Sequence, residues 1–319
     1  MPAEQALPDG ALTMSTELRF DDRVAIVTGA GRGLGRSHAM LLASRGAKVV
    51  VVDHGGAIDG TGTSATPAEQ TADETIGLGG VAVPCFASVA DADDAGTIVR
   101  TALEQYGRVD IVVNNAGIHD PGAFGELSVE QFQQMLAVHF FGTLLVTRAA
   151  WSHFTEAGYG RVVNTVSEAM LGGIPGLSSY GAAKGAVFGL TRNLATEGLA
   201  AGIRVNAVAP RAYTRMSASG SADVAEKLGI SEEDMAVVNA SMPPELCSPA
   251  VAFLAHESCP LNGDVLQVGM GGVARLAVVH TEGITVPAIT PEAIAENLDA
   301  ILDVTNARVT DTALLAPGM

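Results

Sequence analysis

The sequence predicts an α/β fold in which a parallel, seven-stranded sheet carries helices on both faces, the doubly wound arrangement. Short runs of Val and Ile recur along the chain, and longer Ala-rich or amphipathic stretches separate them. The runs show little alternation between polar and apolar residues, which is typical of strands covered on both faces. Strands that alternate with helices of this length imply right-handed β-α-β crossovers and therefore a three-layer sandwich.

Seven β-branched runs are predicted as strands. They are Val24–Val27, Val49–Val52, Val81–Phe86, Ile111–Val113, Val162–Val166, Val205–Val208 and Val265–Val268. Six intervening stretches are predicted as helices, at residues 33–44, 66–79, 91–106, 127–155, 177–198 and 244–256. A further helix is expected to start at Thr290-Pro291 and to run to Asp303, because Pro is favoured in a first helical turn. We expect a loose leader at residues 1–20, one domain at 21–272, and a C-terminal extension at 273–319 that packs on the same domain.

Composition and charge exclude some classes of protein and disfavour some classes of partner. The chain has 319 residues, of which 48% are hydrophobic, so a large core can form and global disorder is excluded. Its 18 basic and 35 acidic residues give a net charge of −17. This balance disfavours nucleic acid and anionic membrane surfaces as partners, although a local field can still hold a small polyanion.

The sequence also lacks the patterns that are typical of metal binding and of export. Cys85, Cys247 and Cys259 form no Cys-x-x-Cys pair, which favours free thiols in a reducing cytoplasm and no metal site. Residues 1–18 contain neither a basic residue nor an apolar core, so no signal peptide is expected. No apolar stretch reaches the roughly 18 residues of a transmembrane helix. A cytoplasmic protein is the expectation.

A glycine-rich turn follows the first predicted strand. Gly29, Gly33 and Gly35 lie where a backbone turns sharply, approaches a pyrophosphate and packs a helix against a sheet. The helix that begins there offers unpaired N–H groups and the positive end of its dipole to a phosphate. This position indicates nucleotide binding of the Rossmann type, although tight strand–helix turns also contain glycine for steric reasons alone. Arg32 is either a phosphate contact or an ordinary exposed arginine.

Asp53 ends the second predicted strand. A carboxylate at that point can accept hydrogen bonds from both hydroxyls of an adenosine ribose, and it repels a 2′-phosphate. No Arg or Lys follows it closely in the sequence, so a 2′-phosphate would lack a partner. Asp53 therefore predicts NAD as the cofactor, in preference to NADP. The alternative is an aspartate that only starts the Gly/Ser/Thr-rich loop 54–66.

Three residues form a candidate catalytic set. Tyr180 and Lys184 are four residues apart on one face of a predicted helix, and a nearby ammonium favours the phenolate form of a tyrosine. Ser167 follows the fifth predicted strand at the carboxyl edge, where open-sheet active sites lie. Its hydroxyl could hold a substrate oxygen between itself and Tyr180. A Tyr-x-x-x-Lys pattern by itself would indicate only two residues on the exposed face of a helix.

In combination these motifs resemble the short-chain dehydrogenase/reductase family over about residues 20–272. The matching segments are Thr28-Gly-Ala-Gly-Arg-Gly-Leu-Gly35, Asn114-Asn-Ala-Gly117, Ser167, Tyr180-x-x-x-Lys184 and Val205-Asn-Ala-Val-Ala-Pro210. The resemblance implies that Tyr180 is the general acid/base, that Ser167 orients the reacting oxygen, and that Lys184 lowers the tyrosine pKa and binds the nicotinamide ribose. It also implies a set of cofactor contacts. These are Gly29, Gly31, Arg32, Gly33, Leu34, Gly35, Asp53, Ser88, Val89, Asn115, Gly117, Pro210 and Thr214, besides Tyr180 and Lys184.

Two positions depart from the family pattern. His139 stands where many members have an asparagine that supports a water relay behind the lysine, so it is either part of that relay or a hydrogen-bonded core histidine. Pro210 is followed by Arg211 instead of the usual glycine, and Thr214 falls one residue early for its nicotinamide contact.

With these departures and several other segments, the sequence resembles the (3R)-hydroxyacyl-CoA dehydrogenase domains of type 2 multifunctional enzymes. This group is also called 17β-hydroxysteroid dehydrogenase type 4. The shared features are Val138-His139-Phe-Phe-Gly142, Arg148-Ala-Ala-Trp151, the loop after Asp53, His256-Glu-Ser-Cys259 and the Thr290-Pro-Glu-Ala293 tail. The chain ends at Met319, without further domains or a peroxisomal tripeptide, so we expect a free-standing bacterial-type relative.

The resulting hypothesis is an NAD-dependent oxidoreductase that oxidises a 3-hydroxyacyl-CoA in fatty-acid or sterol side-chain β-oxidation, assembled as a homodimer or homotetramer. One alternative is a hydroxysteroid dehydrogenase that acts on a free steroid alcohol. Another is a non-catalytic NAD-binding regulator, which would have no physical need for the complete set of Ser167, Tyr180 and Lys184. A reductase of acyl-carrier-protein thioesters is disfavoured, because such enzymes usually use NADPH and Asp53 opposes it.

Overall fold

The computed structural model describes residues 17–218 and 231–310. An eight-stranded sheet has the order β3-β2-β1-β4-β5-β6-β7-β8, in which the first seven strands are mutually parallel and β8 is antiparallel to β7. The strands are β1 Val24–Thr28, β2 Lys48–Val52, β3 Val81–Cys85, β4 Ile111–Asn114, β5 Gly160–Thr165, β6 Ile203–Arg211, β7 Val265–Gly269 and β8 Gly272–Leu276. The order reverses between β1 and β4, the point at which open α/β sheets bind ligands.

Helices cover both faces of the sheet. The α-helices of the described residues are α1 Gly33–Ser44, α2 Thr66–Gly77, α3 Ala92–Tyr106, α4 Val129–Leu136, α5 Gly142–Ala157, α6 Ser178–Gly198, α7 Arg215–Ala218, α8 Glu232–Ala240, α9 Ser248–Ala255, α10 Pro291–Glu296 and α11 Leu298–Leu302. The predicted α/β class, with its seven parallel strands and helices on both sides, is therefore confirmed.

The two faces of β1 show how the sequence builds the sandwich. Ala25 and Val27 belong to a buried cluster with α1, α2 and α9, whereas Val24 and Ile26 belong to a second cluster with α3 and α5. All five β1 residues are buried. Successive side chains point to opposite faces of a strand, so a strand covered on both sides needs apolar residues throughout.

The structure differs from the sequence prediction in the helix at 127–155 and at the edge of the sheet. The stretch 127–155, predicted as one helix, is divided into α4 and α5 by a π-helical turn at Ala137–Phe141, which contains His139. Amphipathic periodicity does not reveal a single widened turn, and such turns are frequent at functional sites. The sheet also gains β8, which lies in the part of the chain predicted to begin the extension.

The ends of the chain join this fold at several points. Phe20 is buried and packs edge-on against His256, with 5.2 Å between ring centroids. At the other end, Arg192 on α6 donates a hydrogen bond to the Thr310 carbonyl at 2.6 Å. Residues 291–302 form two short helices, α10 and α11, where one helix was expected. Residues 1–16 of the expected leader and 311–319 of the extension lie outside the described residues.

Candidate active site

Ser167, Tyr180 and Lys184 meet at the carboxyl edge of the sheet. Ser167 follows β5, and its side chain interacts with Tyr180 on α6, where it acts to lower the tyrosine pKa. Lys184 lies one turn further along α6, and its Nζ is 5.5 Å from the centre of the Tyr180 ring. The same Nζ donates a hydrogen bond to the Thr165 carbonyl at 2.6 Å, which ties the lysine to the end of β5. The structure thus brings together the three residues predicted as the catalytic set.

Burial controls the protonation of this set. It raises the pKa of Tyr180 to about 12, and the interaction with Ser167 acts in the opposite direction. It also lowers the pKa of Lys184 to about 7, in a side chain that is only 3% exposed. Removal from water disfavours the charged form of each group, which is the phenolate for one and the ammonium for the other. The expected lowering of the tyrosine pKa by Lys184 is therefore not the net result, and Tyr180 is a protonated phenol at neutral pH in this structure.

His139 lies in the π-helical turn and is buried against the backbone after β4. Its Nε2 is 2.9 Å from the Ile118 carbonyl oxygen and 3.1 Å from the Ile118 amide nitrogen. A neutral imidazole nitrogen can donate to the first or accept from the second, but not both at once. Burial, followed by repulsion from Lys184, holds the His139 pKa well below its usual range. His139 is therefore a neutral ring, and its Nδ1 is buried without a hydrogen-bond partner among the described residues.

Gly117 makes room for this histidine. A Cβ added at Gly117 would lie 2.5 Å from His139 Cε1 and 3.1 Å from Nδ1. Real Cβ atoms do not approach another atom within 3.0 Å, so the imidazole of His139 requires glycine at this position. Gly117, predicted as a cofactor contact, has a packing role in the structure.

The glycine-rich turn is fixed against β4 by Asn115. The Asn115 Nδ2 donates to the carbonyls of Thr28 at 3.0 Å and Gly29 at 3.2 Å. A Cβ on Gly35 would collide with the Gly29 carbonyl oxygen, so the start of α1 packs directly on the turn. Helix α1 begins at Gly33, and the side chain of its N-cap residue, Arg32, makes no capping hydrogen bond. Helix N-termini that carry no cap offer their first N–H groups to an anion, so this cradle fits the pyrophosphate of a dinucleotide.

Asp53 lies directly beside that turn. Its Oδ2 accepts a hydrogen bond from the Gly31 amide at 2.8 Å, and its Oδ1 accepts one from the Gly55 amide at 2.6 Å. A Cβ on Gly31 would contact the carboxylate at 2.8 Å. The predicted acid is therefore in the place where it can meet an adenosine ribose.

The other predicted cofactor contacts lie around the same edge of the sheet. Ser88 and Val89 follow β3, and the Ser88 amide donates to Asp94 at 2.8 Å. Pro210 pairs with Val268 between β6 and β7. Thr214 lies against the glycine-rich turn, where its Cγ2 would be 3.5 Å from a Cβ on Gly33. Arg32 immediately precedes α1, and Leu34 lies in the first turn of that helix, packed against the core.

A sequence model of the family described as short chain dehydrogenase matches residues 23–224. The chain belongs to the short-chain dehydrogenase family. Over 299 residues this short-chain dehydrogenase is 40% identical to the peroxisomal multifunctional enzyme type 2 of Mus musculus, and the alignment covers 92% of the chain and 38% of the mouse protein. The chain thus spans well under half the length of that relative.

Two solved structures are similar to this short-chain dehydrogenase. A short-chain dehydrogenase from Mycobacterium avium superposes with a TM-score of 0.74 at 34% identity, covering 88% of this chain and 96% of that one. A 7α-hydroxysteroid dehydrogenase, solved with NADH and 7-oxo glycochenodeoxycholic acid, has a TM-score of 0.67 at 27% identity, covering 80% of this chain and 95% of that one. Membership of the family makes the protein an oxidoreductase and confirms the resemblance that the motifs predicted.

Sequence reasoning missed two residues of the site. His119 lies edge-on to the Tyr180 ring with 5.8 Å between centroids, and its amide donates to the Ile58 carbonyl at 2.9 Å. Arg215, on α7, donates from Nη2 to the Gly56 carbonyl at 3.2 Å, next to the loop that follows Asp53. Arg215 is 162 positions from Asp53, so no local pattern could have connected them.

A cavity of about 520 Å³ lies at the opposite edge of the sheet, and it is a poor candidate for the site. Two arginines in its wall are already paired with carboxylates, Arg23 with Asp110 and Glu257, and Arg108 with Asp110. Among residues 17–218 and 231–310, no group of three or more His, Cys, Asp or Glu side chains could hold a metal ion. Within those same ranges, no helix is long and apolar enough to span a membrane.

Proposed function

We propose that this short-chain dehydrogenase uses NAD to oxidise the hydroxyl of a 3-hydroxyacyl-CoA to the 3-oxo form. The observation that carries the proposal is the junction of Ser167, Tyr180 and Lys184 beside the switch point of the sheet. A non-catalytic NAD-binding regulator would not need a partly buried tyrosine that interacts with a serine, with a buried lysine one turn away.

The residues of the chain divide the work of proton transfer. Ser167 holds the reacting oxygen and donates to it as negative charge develops. Tyr180, once deprotonated, takes the hydroxyl proton of the substrate at its phenolic oxygen, and in the reverse direction it returns that proton. Lys184 is held by the Thr165 carbonyl, and in its protonated form it favours the phenolate. A nicotinamide cofactor held at the glycine-rich turn and Asp53 would supply the acceptor for the hydride.

Two observations support NAD as the cofactor. Asp53 lies beside the glycine-rich turn, with both carboxylate oxygens accepting backbone hydrogen bonds. The similar 7α-hydroxysteroid dehydrogenase was solved with NADH. We expect Asp53→Ala to shift the preference of the protein towards NADP. Equal kcat/KM of the unmodified protein for the two cofactors would contradict the argument from this carboxylate.

The substrate class rests on the similarity to the type 2 multifunctional enzyme. A free steroid alcohol is the second candidate, because the 7α-hydroxysteroid dehydrogenase structure covers 80% of the chain. The deciding experiment measures NAD reduction with 3-hydroxyacyl-CoAs of several chain lengths and with a free hydroxysteroid, using Tyr180→Phe as the blank. A higher kcat/KM for the acyl-CoA series is expected. Comparable efficiency on the free steroid would reverse the ranking.

Assembly and location belong to the same proposal. A homodimer or homotetramer is what the family resemblance implies, and light scattering of the purified protein tests it. We propose a cytoplasmic location, whereas the mouse relative is named as peroxisomal. Fractionation of the source cells distinguishes the two locations.

A further inference from the structure

The Asp53 carboxylate joins two loops that each carry or contact an arginine. One oxygen accepts from the Gly31 amide, and Arg32 is the next residue after Gly31. The other oxygen accepts from the Gly55 amide, and the next carbonyl, that of Gly56, accepts the hydrogen bond of Arg215 Nη2. Arg32 therefore follows one residue bonded to Asp53, and Arg215 is hydrogen-bonded to the neighbour of the other.

Arg215 is brought to this place by the chain that follows β6. Its neighbour Thr214 packs on the glycine-rich turn at Gly33. The charges are close enough to interact: burial and the positive charge of Arg32 lower the Arg215 pKa, whereas Asp53 raises it. Neither arginine forms an ion pair with a carboxylate in the described part of the chain. One carboxylate and two guanidinium groups leave a local excess of positive charge in a protein whose net charge is −17.

We propose that Arg215, together with Arg32, binds a phosphate group of the dinucleotide. A guanidinium presents several N–H donors in a fixed planar fork that matches phosphate oxygens, and it holds phosphate more strongly than a neutral donor does. The hydrogen bond to Gly56 uses one Nη2 donor and leaves others available. This inference rests on the proposed function, because it assumes that a dinucleotide occupies the glycine-rich turn.

Two phosphates of a dinucleotide fit this chemistry. The pyrophosphate, common to NAD and NADP, would lie at the N-terminus of α1, next to Arg32. The 2′-phosphate, found only in NADP, would lie beside Asp53, where the two arginines offset the repulsion from the carboxylate. In the second case the preference for NAD over NADP is weaker than Asp53 alone predicts, because the two arginines attract the 2′-phosphate. The sequence argument for NAD had found no basic residue near this position.

The test measures dissociation constants of NAD and NADP for the purified protein by titration calorimetry. The variants are Arg215→Ala, Arg215→Lys and, as a control with the same charge change, Arg100→Ala on the exposed face of α3. Arg215→Ala is expected to weaken binding about 10- to 100-fold, the range for a charged hydrogen bond, and Arg215→Lys less. Arg100→Ala is expected to leave both constants unchanged.

The pattern across the two cofactors identifies the phosphate. Equal weakening of NAD and NADP by Arg215→Ala assigns Arg215 to the pyrophosphate, and weakening of NADP alone assigns it to the 2′-phosphate. Unchanged constants for both, in a variant with the melting temperature of the unmodified protein, would overturn the assignment of Arg215 and leave the proposed function standing. If Arg215→Ala does not fold, Arg215→Gln decides, because it removes the positive charge and keeps more of the side chain, and unchanged binding there would overturn the assignment. Failure of the unmodified protein to bind either cofactor would overturn the proposed function itself.

Discussion

His139 lies edge-on to Tyr180, with 5.2 Å between the ring centroids and an angle of 88° between the ring planes. His119 meets the same tyrosine ring in the same way, at 5.8 Å and 87°. Both imidazoles have a pKa lowered chiefly by burial. The candidate acid/base is therefore flanked by two rings that are neutral at physiological pH, and Lys184 is the nearby group able to carry positive charge.

Tyr180→Phe removes only the phenolic oxygen and keeps the ring that packs between His119 and His139. We expect kcat to fall by about 10²- to 10⁴-fold, because general acid–base catalysis contributes that much. The dissociation constant for NAD is expected to stay nearly unchanged. Tyr106→Phe, on α3, is the matched control and is expected to keep full activity. More than a tenth of the original kcat in Tyr180→Phe would show that another residue transfers the proton.

The direction of the Tyr180 pKa shift predicts opposite pH profiles for the two directions of the reaction. Burial raises this pKa to about 12, so the phenol predominates at neutral pH and the phenolate increases as the pH rises. Oxidation needs the phenolate and reduction needs the phenol. We therefore expect kcat/KM for oxidation to increase from pH 7 to 9, while that for reduction does not. A flat oxidation profile over this interval would argue against Tyr180 as the base.

Lys184 is expected to make stability depend on pH. Burial lowers its pKa from 10.5 to about 7, so between these values the unfolded chain holds a proton that the folded chain has released. Unfolding free energy rises with pH wherever the unfolded state binds more protons. Burial of Lys184 therefore lowers the unfolding free energy by its full amount below pH 7, and this loss disappears towards pH 10.5. The full loss is about 1.4 kcal/mol for each unit by which the pKa is lowered.

Lys184→Met removes this dependence. The advantage in unfolding free energy of the Met variant over the unmodified protein should be largest at pH 6 and should shrink as the pH approaches 10. Urea unfolding at pH 6, 8 and 9.5 measures the difference, and all other titrating groups cancel between the two proteins. A difference that stays constant with pH would mean that Lys184 does not change its charge in this range.

His139→Asn tests whether the histidine serves the active site or only the core. An asparagine amide can donate to the Ile118 carbonyl and accept from the Ile118 amide at the same time, which the single Nε2 cannot do. We expect this variant to keep most of its kcat, and His139→Ala to lose kcat and to show a shifted pH profile. A core role would instead lower stability by about 1–3 kcal/mol in His139→Ala, with activity per folded molecule unchanged.

Gly117→Ala should disturb the same contact from the other side. The added methyl group would meet His139 Cε1 at 2.5 Å, so either the ring or the backbone has to shift, at a cost of about 1–3 kcal/mol in unfolding free energy. The shorter asparagine in Gly117→Ala/His139→Asn should relieve part of this loss. Melting curves of the two single variants and the double variant measure the coupling, and strictly additive losses would contradict the steric argument.

The fold could be predicted in detail because its signals are local. Apolar runs such as Val24–Val27 carry the strand signal within a few residues, and the sandwich requires no information beyond their alternation with helices. The strand β8 escaped prediction because its residues Gly272–Leu276 are mostly exposed, so no buried pattern marks them. The π-helical turn at Ala137–Phe141 escaped for a different reason, since it adds backbone within a continuous helical pattern.

The sequence by itself determined the family, the glycine-rich turn, Asp53 and the spacing of Ser167, Tyr180 and Lys184, because each depends on neighbours along one element. Only the tertiary structure decided what surrounds them. It placed two imidazoles against Tyr180, buried Lys184 against the Thr165 carbonyl, and brought Arg215 to the loop after Asp53. These contacts join strands and helices that are distant in sequence, and the pKa of each group follows from how far the packing removes it from water. The sequence determines which chemical groups the site contains, whereas the tertiary contacts determine their protonation and the local balance of charge.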